Sequence, residues 1–180
     1  MARILIVYGT TEGHTASIAA RKASVMRDDG HEVEMLDSRE ARKKVVTEPF
    51  DGIVVGGSIH AGDYQSSLRE FVKRNREVLE RTPSAFFSVS LSAADSDEES
   101  VADTQQMIDR FIAETGWRPQ RVERIAGALV YTQYNFFIKQ VMKLIVKQQG
   151  HGDLDTSKDH DFTDWARVER FAREFANLTP

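Results

Sequence analysis

Short runs of consecutive aliphatic residues alternate along this chain with stretches of helical spacing. The first run is Ile4-Leu5-Ile6-Val7, a second lies within the predicted strand 51–58, and a third predicted strand, 85–91, is largely apolar but contains two serines. An unbroken apolar run of this length is typical of a strand that is buried on both faces, as in a parallel sheet. Residues 32–37 alternate instead, which predicts a strand near a sheet edge, and residues 125–131 form the last predicted strand.

Apolar residues recur every three or four positions between these strands. The first predicted helix starts at Thr15 and ends before Gly30; others lie over 68–79 and 101–112, and the last has Thr163 as its N-cap. The buried face predicted for the first helix consists of Thr15, Ile18, Ala19, Lys22, Ala23 and Met26. This alternation predicts an α/β fold with a doubly wound, five-stranded parallel sheet of order 2-1-3-4-5.

The turn after the first strand, Gly9-Thr10-Thr11-Glu12-Gly13-His14-Thr15, is rich in hydroxyl groups and glycine. It leads into a helix N-terminus, where the first N–H groups lack internal partners and the helix dipole favours an anion. Because the loop contains no Lys or Arg, it predicts a phosphate bound by neutral donors, unlike the lysine-bearing P-loop. The alternative is an ordinary turn with Ser/Thr capping. The dinucleotide fingerprint G-x-G-x-x-G is not met.

Two further loops, 57–64 and 88–97, leave the carboxyl ends of predicted strands and also begin with small residues. In such sheets ligands bind outside the carboxyl ends of the strands, where the strand order reverses. The agreement of three loops strengthens the prediction of a phosphate-bearing ligand.

Composition narrows the class of protein. With 180 residues, 41% hydrophobic and 29% charged, the chain is predicted to be a single globular domain over 1–180. The net charge of −4 gives no electrostatic case for nucleic acid, and the absence of cysteine excludes disulfides and thiolate sites. His14, His151 and His160 lack metal-ligand spacing, so no metal is predicted. Without a signal-peptide pattern or an apolar run of membrane-spanning length, a cytoplasmic location is expected.

Residues 10–15 resemble the FMN-phosphate loop of flavodoxins, whose pattern is Ser/Thr-x-Thr-Gly-x-Thr. Glu12 departs from this pattern, and we expect its carboxylate to turn outward, away from the phosphate. Further blocks are similar to the flavodoxin-like, menaquinone-dependent protoporphyrinogen dehydrogenases of bacterial haem synthesis. These blocks are Gly57-Ser58-Ile59, Tyr64, Phe71-Val72-Lys73, residues 83–89, Trp117-Arg118-Pro119, residues 125–129 and Thr163-Asp164-Trp165. The resemblance implies a flavodoxin-like fold, bound FMN, and oxidation of protoporphyrinogen IX with electrons passed to a respiratory quinone.

The resemblance also implies which residues form the FMN site. The phosphate would be held by Thr10, Thr11, Gly13, His14 and Thr15, with the backbone of Glu12; the ring would be lined by Ser58, Ile59, His60 and Tyr64. The third loop would contribute Ser88, Val89, Ser90, Leu91, Ser92 and Ala93 through its backbone. Tyr64 would stack on the flavin or simply pack, and His60 would assist proton transfer or be an ordinary loop histidine. The flavin itself carries the redox chemistry.

An insert at 131–160 separates the last predicted strand from the final helix. Within it, 134–149 predicts an amphipathic helix with Lys139, Lys143 and Lys147 on one face. At roughly 24 Å by rise per residue, it is too short and too charged to span a bilayer. It could lie on the inner face of the cell membrane, cover a hydrophobic substrate, pack on a second copy of the chain, or be a core helix. The resemblance favours a functional insert.

Two alternative functions remain open at this stage. One is a flavodoxin-like electron carrier or general FMN quinone reductase. The other is a receiver-like binding domain, which is disfavoured because the first strand ends in Tyr8-Gly9-Thr10 and not in acidic residues.

Overall fold

The computed structural model describes residues 1–91, 98–129 and 160–179. The strands in these residues are β1 (Arg3–Gly9), β2 (Glu32–Asp37), β3 (Gly52–Ser58), β4 (Ser84–Ser90), β5 (Arg121–Ala126), β6 (Ala128–Leu129) and β7 (His160–Asp161). The helices are α1 (His14–Asp28), α2 (Ser38–Ala41), α3 (Ser66–Arg74), α4 (Arg76–Arg81), α5 (Glu98–Thr115) and α6 (Trp165–Ala176).

Five strands form a parallel sheet in the order β2-β1-β3-β4-β5, which confirms the predicted topology, with β2 at an edge. Because the strands are parallel, their carboxyl ends meet at one edge of the sheet. Gly9 of β1 lies opposite Gly57 of β3, and Gly57 lies opposite Ser88 of β4. The loops that follow β1 and β3 therefore start side by side.

The sheet has an apolar layer on each face, because successive side chains of a strand point in opposite directions. On one face Ile4 and Ile6 pack against α1 and α6. On the other, Leu5 and Val7 pack against α3 and α5. Burial on both sides explains the unbroken aliphatic runs of the sequence.

Helix α1 shows the buried face predicted for it. The buried residues of this helix are Thr15, Ile18, Ala19, Lys22, Ala23, Val25 and Met26. Gly30, with a φ of 89°, lies just beyond the end of the helix, as predicted.

The position predicted for the last strand of the sheet is wrong. β5 is Arg121–Ala126, whereas the prediction was 125–131. After Gly127 the chain forms β6, which pairs antiparallel with β7 in a separate two-stranded sheet. β5 contains three charged residues in six, and its buried positions are Glu123 and Ile125, whereas Val122 is exposed. Such a strand has no apolar run in its sequence, so the pattern predicts the strand over the apolar residues 125–131 that follow.

Two helix boundaries also differ from prediction. The helix predicted over 68–79 is split into α3 and α4 at Asn75, whose side chain donates to Phe71 O and Lys44 O and accepts from Val46 N–H. The N-cap of α6 is Asp164, whose carboxylate accepts from Arg167 N–H. The predicted cap, Thr163, has a different set of partners that belongs to the candidate site.

The insert predicted at 131–160 lies outside the described residues except for its last position, and so does the helix predicted at 134–149. Among the described residues, none of the helices combines the length and apolar character needed to cross a membrane.

A buried ion pair joins α1 to β5. The Lys22 ammonium lies 2.8 Å from a Glu123 carboxylate oxygen, and their side chains are 0% and 5% exposed. The ammonium also lies 3.8 Å from the ring centroid of Phe171. Burial lowers the pKa of Lys22 to about 8 and raises the pKa of Glu123, so loss of solvent outweighs mutual attraction in both groups. The Lys22 ammonium therefore depends on Glu123 to remain charged in the core, while Glu123 also lies 3.5 Å from Arg167 Nε.

Glu123→Gln is expected to lower the free energy of unfolding by about 3 kcal/mol, because it leaves the Lys22 ammonium buried without a counter-charge. The double variant Lys22→Met, Glu123→Leu should recover most of this loss. Urea unfolding measures both. The control is Glu174→Gln, which removes an exposed partner of Arg121 and should cost less than about 1 kcal/mol. Equal losses of unfolding free energy in Glu123→Gln and in the control would show that the buried charge pair is not needed for stability.

Candidate functional site

Helix α1 begins at the carboxyl end of β1 without a capping side chain. Its N-cap is Gly13, whose φ of 88° is left-handed and which has no side chain to bond to the first N–H groups of the helix. Within the described chain, the first intrahelical bond there is from Ser17 N–H to Gly13 O, at 3.2 Å. The N–H groups that precede it point toward the loop, and the positive end of the helix dipole lies there.

The Thr15 hydroxyl lies in the first turn of α1. Its residue is 1% exposed, and its Oγ1 has no hydrogen-bond partner among the described residues. A buried hydroxyl without a partner is uncommon in proteins, because it has lost its hydration without compensation. Together with the uncapped helix start, it forms a donor set suited to an anion such as a phosphate.

The Thr10 hydroxyl closes the loop before the helix. Its Oγ1 accepts from Gly13 N–H at 2.9 Å. A hydroxyl that accepts through its oxygen keeps its hydrogen for another partner. Thr10 therefore has a proton available to donate at the same loop.

The His14 side chain turns away from the loop toward the start of α6. Its Nε2 lies 2.7 Å from Thr163 Oγ1, and Thr163 Oγ1 donates to Ala126 O at 2.9 Å. His14 Nε2 also lies 3.7 Å from an Asp161 carboxylate oxygen. Burial lowers the pKa of His14, with the Asp161 carboxylate opposing the shift. The His14 imidazole thus contacts the residues just before α6, and only the backbone of His14 faces the loop after β1.

The Glu12 side chain does not turn outward as expected. It is 24% exposed, and its Oε1 lies 3.8 Å from His60 Nδ1 in the loop after β3. Half-burial raises the pKa of Glu12, and the nearby His60 opposes the shift. The carboxylate thus lies between two of the three loops.

The loop after β3 is a tight hairpin. His60 and Asp63 exchange backbone hydrogen bonds of 2.9 and 3.2 Å across Ala61 and Gly62. Both central residues have positive φ, 50° for Ala61 and 78° for Gly62, as in a type I′ turn. A positive φ is strained for alanine, and such strain is typical of functional loops. His60 is exposed at the tip.

Tyr64 packs in the core, which agrees with the second of the two alternatives given for it and not with stacking on a flavin. The side chain is 4% exposed between Phe86 and Phe111, and its hydroxyl lies 2.7 Å from Ser88 Oγ. Burial raises the pKa of Tyr64. The residue therefore supports the hairpin from below.

The third loop begins later than predicted. Ser88, Val89 and Ser90 belong to β4, where they pair with β3 or β5. The Ser88 and Ser90 side chains are buried. Leu91 is the last described residue before the gap, and Ser92 and Ala93 lie outside the described residues.

Gln65 is a site residue that the sequence did not reveal. Its Nε2 donates to Ser58 Oγ at 2.8 Å and to Thr11 Oγ1 at 3.1 Å, which joins the first two loops. A glutamine before a helix has no distinctive pattern, so only the fold shows this contact.

The fold and the strand-end loops define a doubly wound α/β protein with its ligand site at the reversal of strand order. The flavodoxin-domain family model matches residues 5–157. Among solved structures, oxidised flavodoxin 1 from Bacillus cereus superposes with a TM-score of 0.58 at 16% identity, over 98% of both chains. At that identity the superposition shows the fold alone.

Longer matches occur among curated proteins. Protoporphyrinogen IX dehydrogenase [quinone] of Escherichia coli (strain K12) is 37% identical over 177 residues, which cover 98% of this chain and 96% of that protein. The Leishmania major protein of the same name is 35% identical, over 98% of this chain and 75% of its own length. A flavodoxin of Nitratidesulfovibrio vulgaris is 34% identical over 82 residues only, 46% of this chain. This chain therefore belongs to the flavodoxin-domain family, together with these two dehydrogenases, which confirms the resemblance inferred from its residues.

Glu12→Gln is expected to raise the stability of the ligand-free protein at pH 7, because it replaces a half-buried carboxylate by a neutral group. Since the folded pKa of Glu12 is raised, the folded state binds more protons than the unfolded state as the pH falls. The gain should therefore begin to shrink as the pH falls through the raised folded pKa, and vanish only below the ordinary pKa of the unfolded state, where Glu12 is protonated in both states. Urea unfolding between pH 7 and pH 4 measures it, with the exposed Glu70→Gln as control. A gain that is independent of pH would contradict the assignment.

Proposed function

We propose that this protein is an FMN-dependent oxidoreductase that oxidises protoporphyrinogen IX and passes the electrons to a respiratory quinone. The cofactor assignment is carried by one observation, the buried Thr15 hydroxyl without a partner at the uncapped start of α1. The substrate assignment is supported by 37% identity to a dehydrogenase of that name over 98% of the chain.

The residues after β1 fit the phosphate of FMN. Thr15 and Thr10 have hydroxyl protons to donate, and Gly13 exposes the first N–H groups of α1. Thr11 contributes a third hydroxyl, and His14 contributes its backbone. Because these donors are fixed by the fold before the ligand arrives, little reorganisation opposes binding.

The isoalloxazine ring would lie along the hairpin after β3 and the start of the loop after β4. Ser58, Ile59 and His60 supply the hairpin side, and Leu91, Ser92 and Ala93 supply the other, while Tyr64, Ser88, Val89 and Ser90 support these loops from β4 and the core. Bound FMN supplies the hydrogen and electron transfer chemistry. His60, exposed beside Glu12, is the proposed residue for moving a proton at the ring edge.

The assignment of the substrate and the electron acceptor depends on how much of the chain each relative matches. The dehydrogenase match covers nearly all of this chain, whereas the match to a flavodoxin covers 82 residues. This difference favours the dehydrogenase over the carrier. We assign one of three roles to the segment 134–149: it recognises the porphyrinogen, contacts the membrane that holds the quinone, or pairs with a second copy of the chain.

Thr15→Val is expected to weaken FMN binding by about 10- to 100-fold, the effect of losing a hydrogen bond to a charged group. Riboflavin, which lacks the phosphate, should bind as before. The variant should also be at least as stable without ligand, because it removes an unsatisfied buried hydroxyl. The control is Thr115→Val, whose hydroxyl donates to Phe111 O: it should lose stability and keep FMN affinity. Flavin fluorescence titration and urea unfolding measure these effects. Equal losses for FMN and riboflavin would contradict the phosphate role.

The FMN-loaded protein is expected to oxidise protoporphyrinogen IX under anaerobic conditions when a quinone is supplied. Deletion of 134–149 should abolish this turnover while FMN binding persists. Porphyrin fluorescence follows the product, and the apoprotein gives the uncatalysed rate. FMN binding without turnover by the intact chain would favour the electron carrier and reject the dehydrogenase.

A further inference from the structure

Gln65 spans the gap between the loops after β1 and β3. It is the residue before α3, yet its side chain does not cap that helix. Its amide instead donates to Ser58 Oγ at 2.8 Å and to Thr11 Oγ1 at 3.1 Å. One side chain thus contacts a hydroxyl from each of the two loops that are proposed to hold FMN.

This reach depends on a glycine at the end of β1. A Cβ on Gly9 would lie 2.7 Å from Gln65 Oε1 and 3.2 Å from its Cβ and Cδ. Any larger residue at position 9 would force the Gln65 amide to shift. The carboxyl end of β1 therefore has a second use besides starting the phosphate loop.

The direction of the two hydrogen bonds determines what the hydroxyls can do next. An amide NH₂ group only donates, so the oxygens of Thr11 and Ser58 both act as acceptors toward Gln65. Their hydrogens must then point away from the amide. Thr10 is set in the same way by Gly13 N–H. Hydroxyls at both strand ends are thereby presented as donors, which is what phosphate oxygens require and what ribityl hydroxyls can accept.

The amide holds this orientation without satisfying its own oxygen. Gln65 Oε1 is buried and has no donor among the described residues. An unsatisfied buried carbonyl is unfavourable for folding, so the arrangement is not explained by stability alone.

We infer that Gln65 is a positioning residue of the cofactor site, which orients the Thr11 and Ser58 hydroxyls as donors toward FMN. This inference rests on the proposed FMN binding. It does not depend on the substrate, and its test uses the flavin affinity of the apoprotein and no turnover measurement.

The decisive experiment compares Gln65→Met in two backgrounds, the natural chain and the Thr11→Val, Ser58→Ala variant. Met has a similar length but no donor. In the natural chain it should weaken FMN binding about tenfold, the effect of roughly one hydrogen bond. In the variant background it should change the affinity less than about twofold, because the hydroxyls that it orients are gone. Gln105→Met, on the exposed face of α5, is the matched control and should have no effect in either background.

Two further variants test the direction of the hydrogen bonds and the space that Gly9 leaves for the amide. Gln65→Glu presents only acceptors, so it should draw the two hydroxyl protons toward itself and weaken riboflavin as well as FMN. Gly9→Ala should displace the Gln65 amide from its two hydroxyl partners, weaken FMN binding as Gln65→Met does, and add nothing to the effect of Gln65→Met. Thermal unfolding of each apoprotein verifies that it is folded.

The outcomes separate this inference from the proposed function. If the natural apoprotein does not bind FMN, both fail. If it binds FMN and Gln65→Met has no effect, or has the same effect in both backgrounds, only the positioning role is overturned.

Discussion

The parallel pairing of β1 with β3 places Gly9 opposite Gly57, and the candidate site depends on this alignment. It brings the hydroxyl-rich loop after β1 beside the hairpin after β3. Gln65 can then bond to Thr11 and Ser58 at once, and Glu12 can approach His60. A shift of one residue in the pairing would turn the β1 side chains to the opposite apolar layer and separate these contacts. The packing of the core and the geometry of the site are therefore fixed by the same register.

Polar groups are treated differently in the core and at the site. Lys22 and Glu123 are buried as a mutually satisfied pair, with Phe171 against the ammonium. Thr15 Oγ1 and Gln65 Oε1 are also buried, but neither has a partner in the described part of the chain. Since unsatisfied polar groups oppose folding, their concentration near one end of one strand indicates a place where a ligand completes the structure.

The parts of the fold that sequence predicted well are those where one physical effect dominates. β1, β3 and β4 are buried on both faces, so their apolar runs were unambiguous, and strand alternation with helices then gave the sheet order. β5 was misplaced because Glu123 is inward-facing through its pairing with Lys22, a contact 101 residues apart that no local pattern contains. The loop after β1 could be predicted because its signal lies in its own residues. Gln65 could not, because its partners lie in other loops. The sequence also does not show that the Tyr64 ring completes an aromatic cluster with Phe86 and Phe111.

The contacts of His14 relate the cofactor loop to the segment proposed to select the substrate. The ladder between β6 and β7 places Leu129 opposite His160, so residues 130–159 leave and rejoin the described chain at one point. Next to that point Asp161 and Thr163 contact the His14 imidazole, the first side chain of α1. Thr163 in turn bonds to Ala126 O at the end of β5. The chain after the segment thus contacts the helix whose start is proposed to bind the FMN phosphate, and through Thr163 it also contacts the chain before the segment. The described residues that flank the segment therefore place its two points of attachment at the carboxyl edge of the sheet, beside the loop proposed to bind the cofactor.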